Sequence, residues 1–306
     1  MTYNSRINSN PEHLLTISCQ PKHLVFVGLT PDAQALIVGE QTKIQLWDLS
    51  ARQEVCTLID VGRGPYISNV AVSADGSTLV CDIGTGIIKV WSLQDRQQRL
   101  TFRAHHYHIR TLALSHNGRI MASFAYDFTL KVWNLKKGRK TSFLTQSESD
   151  PVILHLACTP DGQTIAYSMS SLLKIWQWKI LEEMELEGHS NAITTVAIST
   201  DGQTVFSGSY DRTIKAWELA TGQEMYTLVG HSNYIRSIAI SGNGQTLISS
   251  DSKQQFKLWN LATGGAISTW EEYSEDVDGR TFVAISADGR ILACGSGDTV
   301  TVWRVL

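Results

Sequence analysis

The sequence is poor in the features that mark whole classes of protein. Its five cysteines, Cys19, Cys56, Cys81, Cys158 and Cys294, are scattered and odd in number, and no Cys-x-x-Cys pair occurs. This excludes a disulfide framework and a zinc ribbon, and implies reduced thiols in a cytoplasm. No run of about 18 apolar residues exists, so no segment is expected to span a membrane. The first residues, MTYNSRINSNPEHLLTISCQ, lack the apolar run of a signal peptide. Excess charge of one sign is also missing. The 26 Lys and Arg face 29 Asp and Glu, a formal net charge of −3, which favours neither nucleic acid nor an anionic membrane as a partner. A phosphate loop, a metal-ligand cluster and a convincing acid/base pair are absent as well. No catalytic residue, metal or cofactor is therefore expected. Long stretches with helical periodicity are equally scarce.

What fills the 306 residues is short alternating segments such as TLALS, TTVAIS, RSIAIS and TIKAW, with 42% hydrophobic and 18% charged residues overall. Alternation with period two marks β-strands. The segments also recur. Trp47, Trp91, Trp133, Trp176, Trp217, Trp259 and Trp303 are 44, 42, 43, 41, 42 and 44 residues apart, each at the end of an alternating segment. Turn signals keep the same period: PDA at 31–33, ADG at 74–76, HNG at 116–118, PDG at 160–162, TDG at 200–202, GNG at 242–244 and ADG at 287–289. Asp-Gly and Asn-Gly favour tight hairpins because both residues tolerate positive φ.

With these two markers, the Gly188-His189 and Gly230-His231 dipeptides complete a resemblance to the WD-repeat β-propeller family, covering residues 12–306. The repeats resemble those of bacterial members, cyanobacterial ones in particular. Only Trp47-Asp48 carries the name-giving dipeptide. The resemblance implies an all-β, seven-bladed propeller of four-stranded antiparallel blades. The chain stops after the third strand of its last repeat, while EHLLTIS at 12–18 matches the fourth strand QEMYTLV at 223–229. The N-terminal strand is thus expected to complete the last blade and close the ring. Residues 1–11 are expected to be a flexible tail, residues 12–306 a single domain, and the protein a monomer.

The stretch RAHHYHIRTLALS (103–115) places three histidines close together. Aligned with VGHSNYIRSIAIS (229–241), His105 matches His231 and His189. In the family this chain resembles, that histidine joins a buried tetrad with Ser or Thr, Asp and the strand Trp. Two complete sets are present: His105, Ser123, Asp127 and Trp133 in blade three, and His189, Ser207, Asp211 and Trp217 in blade five. The same residue types could form a catalytic triad. A chain of hydrogen bonds serving a buried indole N–H is the stronger reading. Blade six has His231, Ser249 and Trp259, but Lys253 stands where the aspartate is expected, so no network is expected there.

The resemblance also implies partner-contact positions on one face of the disc. These are Tyr66 in blade two, His108, Arg110 and Tyr126 in blade three, Tyr210 in blade five, and Tyr234 and Arg236 in blade six. Tyr and Arg are enriched where binding energy concentrates. The expected function is a non-enzymatic scaffold that holds a protein or peptide on this face. The alternative is a small-ligand binder or enzyme using the central channel, with His155 and Asp150 as its nearest titratable groups.

Overall fold

The computed structural model describes residues 11–19, 24–147, 149–271 and 281–305. These form 28 strands in seven four-stranded antiparallel sheets, with no helix among the described residues. Each sheet is a blade whose strands follow chain order from the channel outwards. Blade seven is the exception. Its outermost strand is Glu12–Ser18, paired with Thr299–Arg304 from the other end of the chain. Ring closure by the N-terminal strand is therefore as the sequence implies. Residues 1–10 of the expected tail lie outside the described residues.

The second and third strands of each blade alternate with the core on both faces, which is why their apolar positions are so regular. In blade three, Ile120–Ala125 and Thr129–Asn134 bury Met121, Phe124, Leu130 and Val132 completely or nearly so. One side of that sheet packs on blade two through Met121 and Trp133, and the other on blade four through Phe124 and Leu130. Seven such interblade clusters form a ring of cores around a channel of about 590 Å³.

On one face, the hairpin between the first and second strands of each blade touches the next blade. Gly118 (φ 63°) and Gly162 (φ 72°) are needed here twice over. A Cβ at either would also lie within 2.4–2.8 Å of Thr78 or Ile120 of the preceding blade. Main-chain bonds join these turns: Asp75 N–H to His116 O (3.0 Å), His116 N–H to Pro160 O (3.2 Å), Asn243 N–H to Ala287 O (2.8 Å) and Ala287 N–H to Pro31 O (3.2 Å). Thr200 links blade five to blade six through its hydroxyl and Gly242 O (2.8 Å).

Blade one departs from the glycine rule. Ala33 takes φ 55° and donates its N–H to Thr30 O, as Gly76 does to Ser73 O. A left-handed alanine costs about 1–2 kcal/mol, and adding backbone freedom to the unfolded chain returns about 0.4–1 kcal/mol of that gain. Ala33→Gly is therefore expected to stabilise by about 0.5–1 kcal/mol. A denaturant melt with a lower midpoint than the parent would contradict this.

Candidate functional site

The tetrads come first, because they hold the face on which the remaining residues stand. In blade three, Trp133 Nε1–H donates to Ser123 Oγ (3.0 Å). An indole can only donate, so the serine hydroxyl passes its own proton to His105 Nε2 (2.8 Å). His105 Nδ1–H then points at the Asp127 carboxylate, 3.0 Å from each oxygen. Blade five repeats this with Trp217, Ser207, His189 and Asp211 at 2.8, 2.8 and 2.7 Å. Ser123 and Ser207 are fully buried and engaged as acceptors, so no substrate reaches either as it would a triad nucleophile. Burial, opposed by the aspartates, pushes both His105 and His189 below the usual imidazole range. Burial acts against the Asp127 and Asp211 charges, but hydrogen bonds from Thr129 and Thr213 and from the histidines outweigh it. Both carboxyls titrate below their ordinary value.

Blade six corrects the expectation. It holds a third complete tetrad, with Asp251 rather than residue 253 as its acid. Trp259 Nε1–H donates to Ser249 Oγ (2.8 Å), Ser249 faces His231 Nε2 (2.7 Å), and His231 Nδ1 faces Asp251 Oδ2 (3.2 Å). The reason is strand alternation. Asp251 ends the strand Thr246–Asp251 two residues after Ser249, so both side chains share one face. Lys253 and Gln255 donate their backbone N–H groups to its other oxygen (2.9 and 3.1 Å). Blades one and two carry Val38 and Cys81 at the serine position, and the buried indole N–H groups of Trp47 and Trp91 have no acceptor.

The residues expected to meet a partner lie on the face opposite the linked turns, around the channel mouth. Main-chain bonds fix them in pairs within each blade: Tyr126 N–H to His108 O, Tyr210 N–H to Ala192 O and Ser252 N–H to Tyr234 O, at 2.9–3.1 Å. Arg110 donates to the Tyr126 hydroxyl (2.7 Å), with its guanidinium 5.8 Å from the ring centre. Arg236 reaches across from blade six to Tyr210 of blade five, donating to its hydroxyl (3.4 Å) with the guanidinium 5.6 Å from that ring. Tyr234 packs on Tyr210 with ring centres 5.1 Å apart. The structure thus brings Tyr210, Tyr234 and Arg236 into one group and Arg110 with Tyr126 into another. Tyr126, Tyr234 and Tyr66 stay 47%, 45% and 59% exposed. His108 is exposed between them. Tyr66 stands over Gly84, whose φ of 79° and 2.8 Å Cβ approach to Tyr66 O admit only glycine.

Sequence reasoning passed over two residues of this region. Tyr107, 60% exposed, flanks His108; its place between two histidines was the available signal. Asp82 is fully buried beneath the face, accepting from the Ser68 hydroxyl (2.5 Å). Burial pushes its carboxyl above the usual range, against the Ser68 hydrogen bond and the influence of nearby His108. A carboxyl with a raised folded-state pKa supports the fold below its unfolded pKa and weakens it as pH rises through the folded one. Asp82→Asn is therefore expected to raise the melting temperature at pH 7, with the difference shrinking toward pH 4. An equal or lower melting temperature at pH 7 would contradict this.

The channel is lined by apolar residues such as Val25, Phe26, Leu112 and Phe282, and by Ser68, Asn69, Arg110, His155 and Ser237. His155 Nδ1 accepts from Val196 N–H (3.3 Å), and burial lowers its pKa to about 4, so it is neutral. Asp150 is not with it; its carboxylate caps the Ser147 N–H (2.9 Å) in a loop. Two further tryptophans, outside the seven of the repeat, pack rather than project. Trp178 donates to Gly162 O (2.8 Å), and Trp270 stacks on Phe256 with ring centres 5.9 Å apart.

The family described as "WD domain, G-beta repeat" matches residues 96–134, 181–218, 222–260 and 266–304, just over half the chain. Three curated proteins illustrate the similarity. Rat "Apoptotic protease-activating factor 1" is 24% identical over 223 residues, 72% of this chain and 17% of that protein. Mouse "Transducin-like enhancer protein 2" is 26% identical over 200 residues, 65% of this chain and 26% of that protein. "Protein groucho" of Drosophila melanogaster is 24% identical over 221 residues, 72% of this chain and 30% of that protein. The match spans less than a third of each relative. All three are animal proteins, so the likeness to bacterial repeats is not part of what these matches show.

Proposed function

Because this chain belongs to the WD-repeat family, we propose that it is a non-enzymatic scaffold that captures a protein or peptide on the Tyr/Arg face around its channel mouth. The observation that carries this reading is the pairing of Arg110 with Tyr126 and of Arg236 with Tyr210 and Tyr234. Each arginine is held by its tyrosine before a partner arrives, so little side-chain freedom remains to be lost on binding. Tyr66 and His108 extend the same surface. The channel is a poorer candidate for chemistry. Its titratable lining is Arg110 and a neutral, main-chain-bonded His155. We further infer a reducing compartment such as the cytoplasm. No disulfide joins the five cysteines, and burial raises the Cys19, Cys81 and Cys158 thiols to about 12, which leaves them unreactive.

The test is capture of the native partner by the immobilised full chain. Tyr126→Ala and Arg236→Ala are expected to cut capture at least tenfold, since contact residues of this kind are each worth about 2 kcal/mol or more. Their melting temperatures should stay near the parent's. Arg290→Ala, an exposed change on the opposite face, is the matched control. Loss of capture with Arg290→Ala, or retention with both face variants, would place the binding surface elsewhere.

A further inference from the structure

The overall charge of −3 conceals a strong asymmetry. Residues 96–140 hold ten of the 26 Lys and Arg but, in Asp127, one of the 29 Asp and Glu. The rest of the ring is correspondingly acidic. Among the described residues, two of these ten cations pair with a carboxylate, Arg99 with Asp95 and Lys131 with Asp127. Arg96, Arg119, Lys136, Lys137, Arg139 and Lys140 are exposed. They gather on the face opposite the tyrosines, because the turn at 117–119, the hairpin at 135–138 and the start of the strand Gln97–Arg103 all lie at that end of their blades.

Three cations from these three segments meet at one place. Arg99, Arg119 and Lys136 rim a groove of about 340 Å³ between blades two and three, whose apolar lining comes from Val90, Leu100 and Leu135. We propose that this groove is a second docking site, for an acidic polypeptide segment whose aliphatic side chains enter the groove while its carboxylates meet the surrounding Arg and Lys. Charge complementarity selects the sign of the partner, and the aliphatic lining selects its kind. The lining contains no aromatic ring on which a base could stack, as single-stranded nucleic acid sites do. The acidic remainder of the ring repels a polyanion long enough to leave the patch. A short acidic segment carrying a few leucine-sized side chains satisfies both the rim and the lining.

The probe is a labelled twelve-residue peptide of Asp, Glu and three Leu, titrated with the full chain by fluorescence anisotropy. It is expected to bind at 50 mM salt and to weaken at least tenfold by 300 mM, as rim charges are screened. The double variant Arg119→Glu with Lys136→Glu should weaken binding at least tenfold with an unchanged melting temperature. Arg290→Glu should stay within twofold. It alters charge at the equivalent turn of blade seven, where Arg290 N–H bonds Asp288 as Arg119 N–H bonds Asn117. Replacing the three leucines by serine should cost at least fivefold. Tyr126→Ala should leave this binding within twofold, which separates the groove from the tyrosine face. No binding at 50 mM salt, equal losses in the groove variant and Arg290→Glu, or full affinity without the leucines would each overturn the proposal. So would tighter binding of oligouridine or of phosphatidylserine vesicles with the same loss in the groove variant.

Discussion

Deletion of residues 1–19 is expected to turn the protein into a sharply destabilised, aggregating species. The strand Glu12–Ser18 pairs with Thr299–Arg304 over its length, with a bulge between His13 and Leu15. Ile17 is buried beside Val300 and Val302, with Leu14 and Leu15 packed against the same cluster. His13 sets its edge 5.1 Å from Trp303, and Arg304 pairs with Glu12 at 3.2 Å. Burying one such aliphatic side chain is worth about 1.5–3 kcal/mol, so losing three removes several kcal/mol. That is a large part of the roughly 5–15 kcal/mol that holds a typical domain together. The deletion also bares the edge of TVTVWR, a segment of high β propensity with one charge, and unpaired edges of this kind recruit other chains. Thermal melting and light scattering are the measurements. Deleting 1–10, which leaves every pairing residue in place, is the control. A 1–19 deletion that melts within a few degrees of the parent and stays monodisperse would contradict the closure argument.

The second large effect is expected at the tetrad acids. Asp211→Ala removes the acceptor for His189 Nδ1–H, Ser190 N–H (3.1 Å), and the Thr213 N–H and hydroxyl (2.9 and 2.6 Å). Unsatisfied buried donors cost about 1–3 kcal/mol each, so a loss of about 3 kcal/mol or more is expected. Asp127→Ala and Asp251→Ala should behave alike, while Lys253→Ala should cost little because its side chain is outside the network. A harmless Asp251→Ala would remove the third tetrad. The pH dependence follows from the same groups. His105 and His189 have depressed folded-state pKa values, so the unfolded chain takes up protons first, and stability falls as pH drops below about 6.5. Asp127, Asp211 and Asp251 are also depressed. Their contribution is present above the unfolded value of about 4 and is lost below it. The melting temperature should therefore decline in two stages on acidification. In Asp211→Ala the lower stage should be smaller.

The seven blades and the closure could be seen in the sequence because both rest on repetition, and a period of 41–44 residues survives wide variation in side chains. The tetrads of blades three and five were visible for the same reason. Asp251 was missed because the acid was sought at a fixed offset from the serine, whereas strand alternation lets a residue two positions on reach the same histidine. Asp82 escaped because the expectation for blade two rested on Tyr66 alone, not on the buried end of the strand Thr78–Asp82 beneath it. The union of Arg236 with Tyr210 joins different blades and depends on how closely neighbouring first strands approach the channel. The basic groove was hidden by summing charge over a chain whose opposite charges lie on different parts of the ring.

The linked turns have a mechanical consequence. The residue that donates its N–H from His116 to Pro160, and from Ala287 to Pro31, is replaced in blades one and four by Pro31 and Pro160 themselves. Proline has no N–H to give. At these turns, no hydrogen bond joins blade one to two or four to five. On this face the turns are thus stitched in two runs, blades two to four and blades five to one; at the two remaining junctions the bonds move to the other face, Ile67 N–H to Gln41 O and Ile193 N–H to Ser170 O (both 2.7 Å). Amide exchange at Asp75, His116, Asn243 and Ala287, and equally at Ile67 and Ile193, is therefore expected to be slow. The Arg110–Tyr126 pair belongs to one run and the Tyr210–Tyr234–Arg236 group to the other. A partner that gripped both would bridge the junction of blades four and five, where the face turns carry the bond that the proline turn lacks.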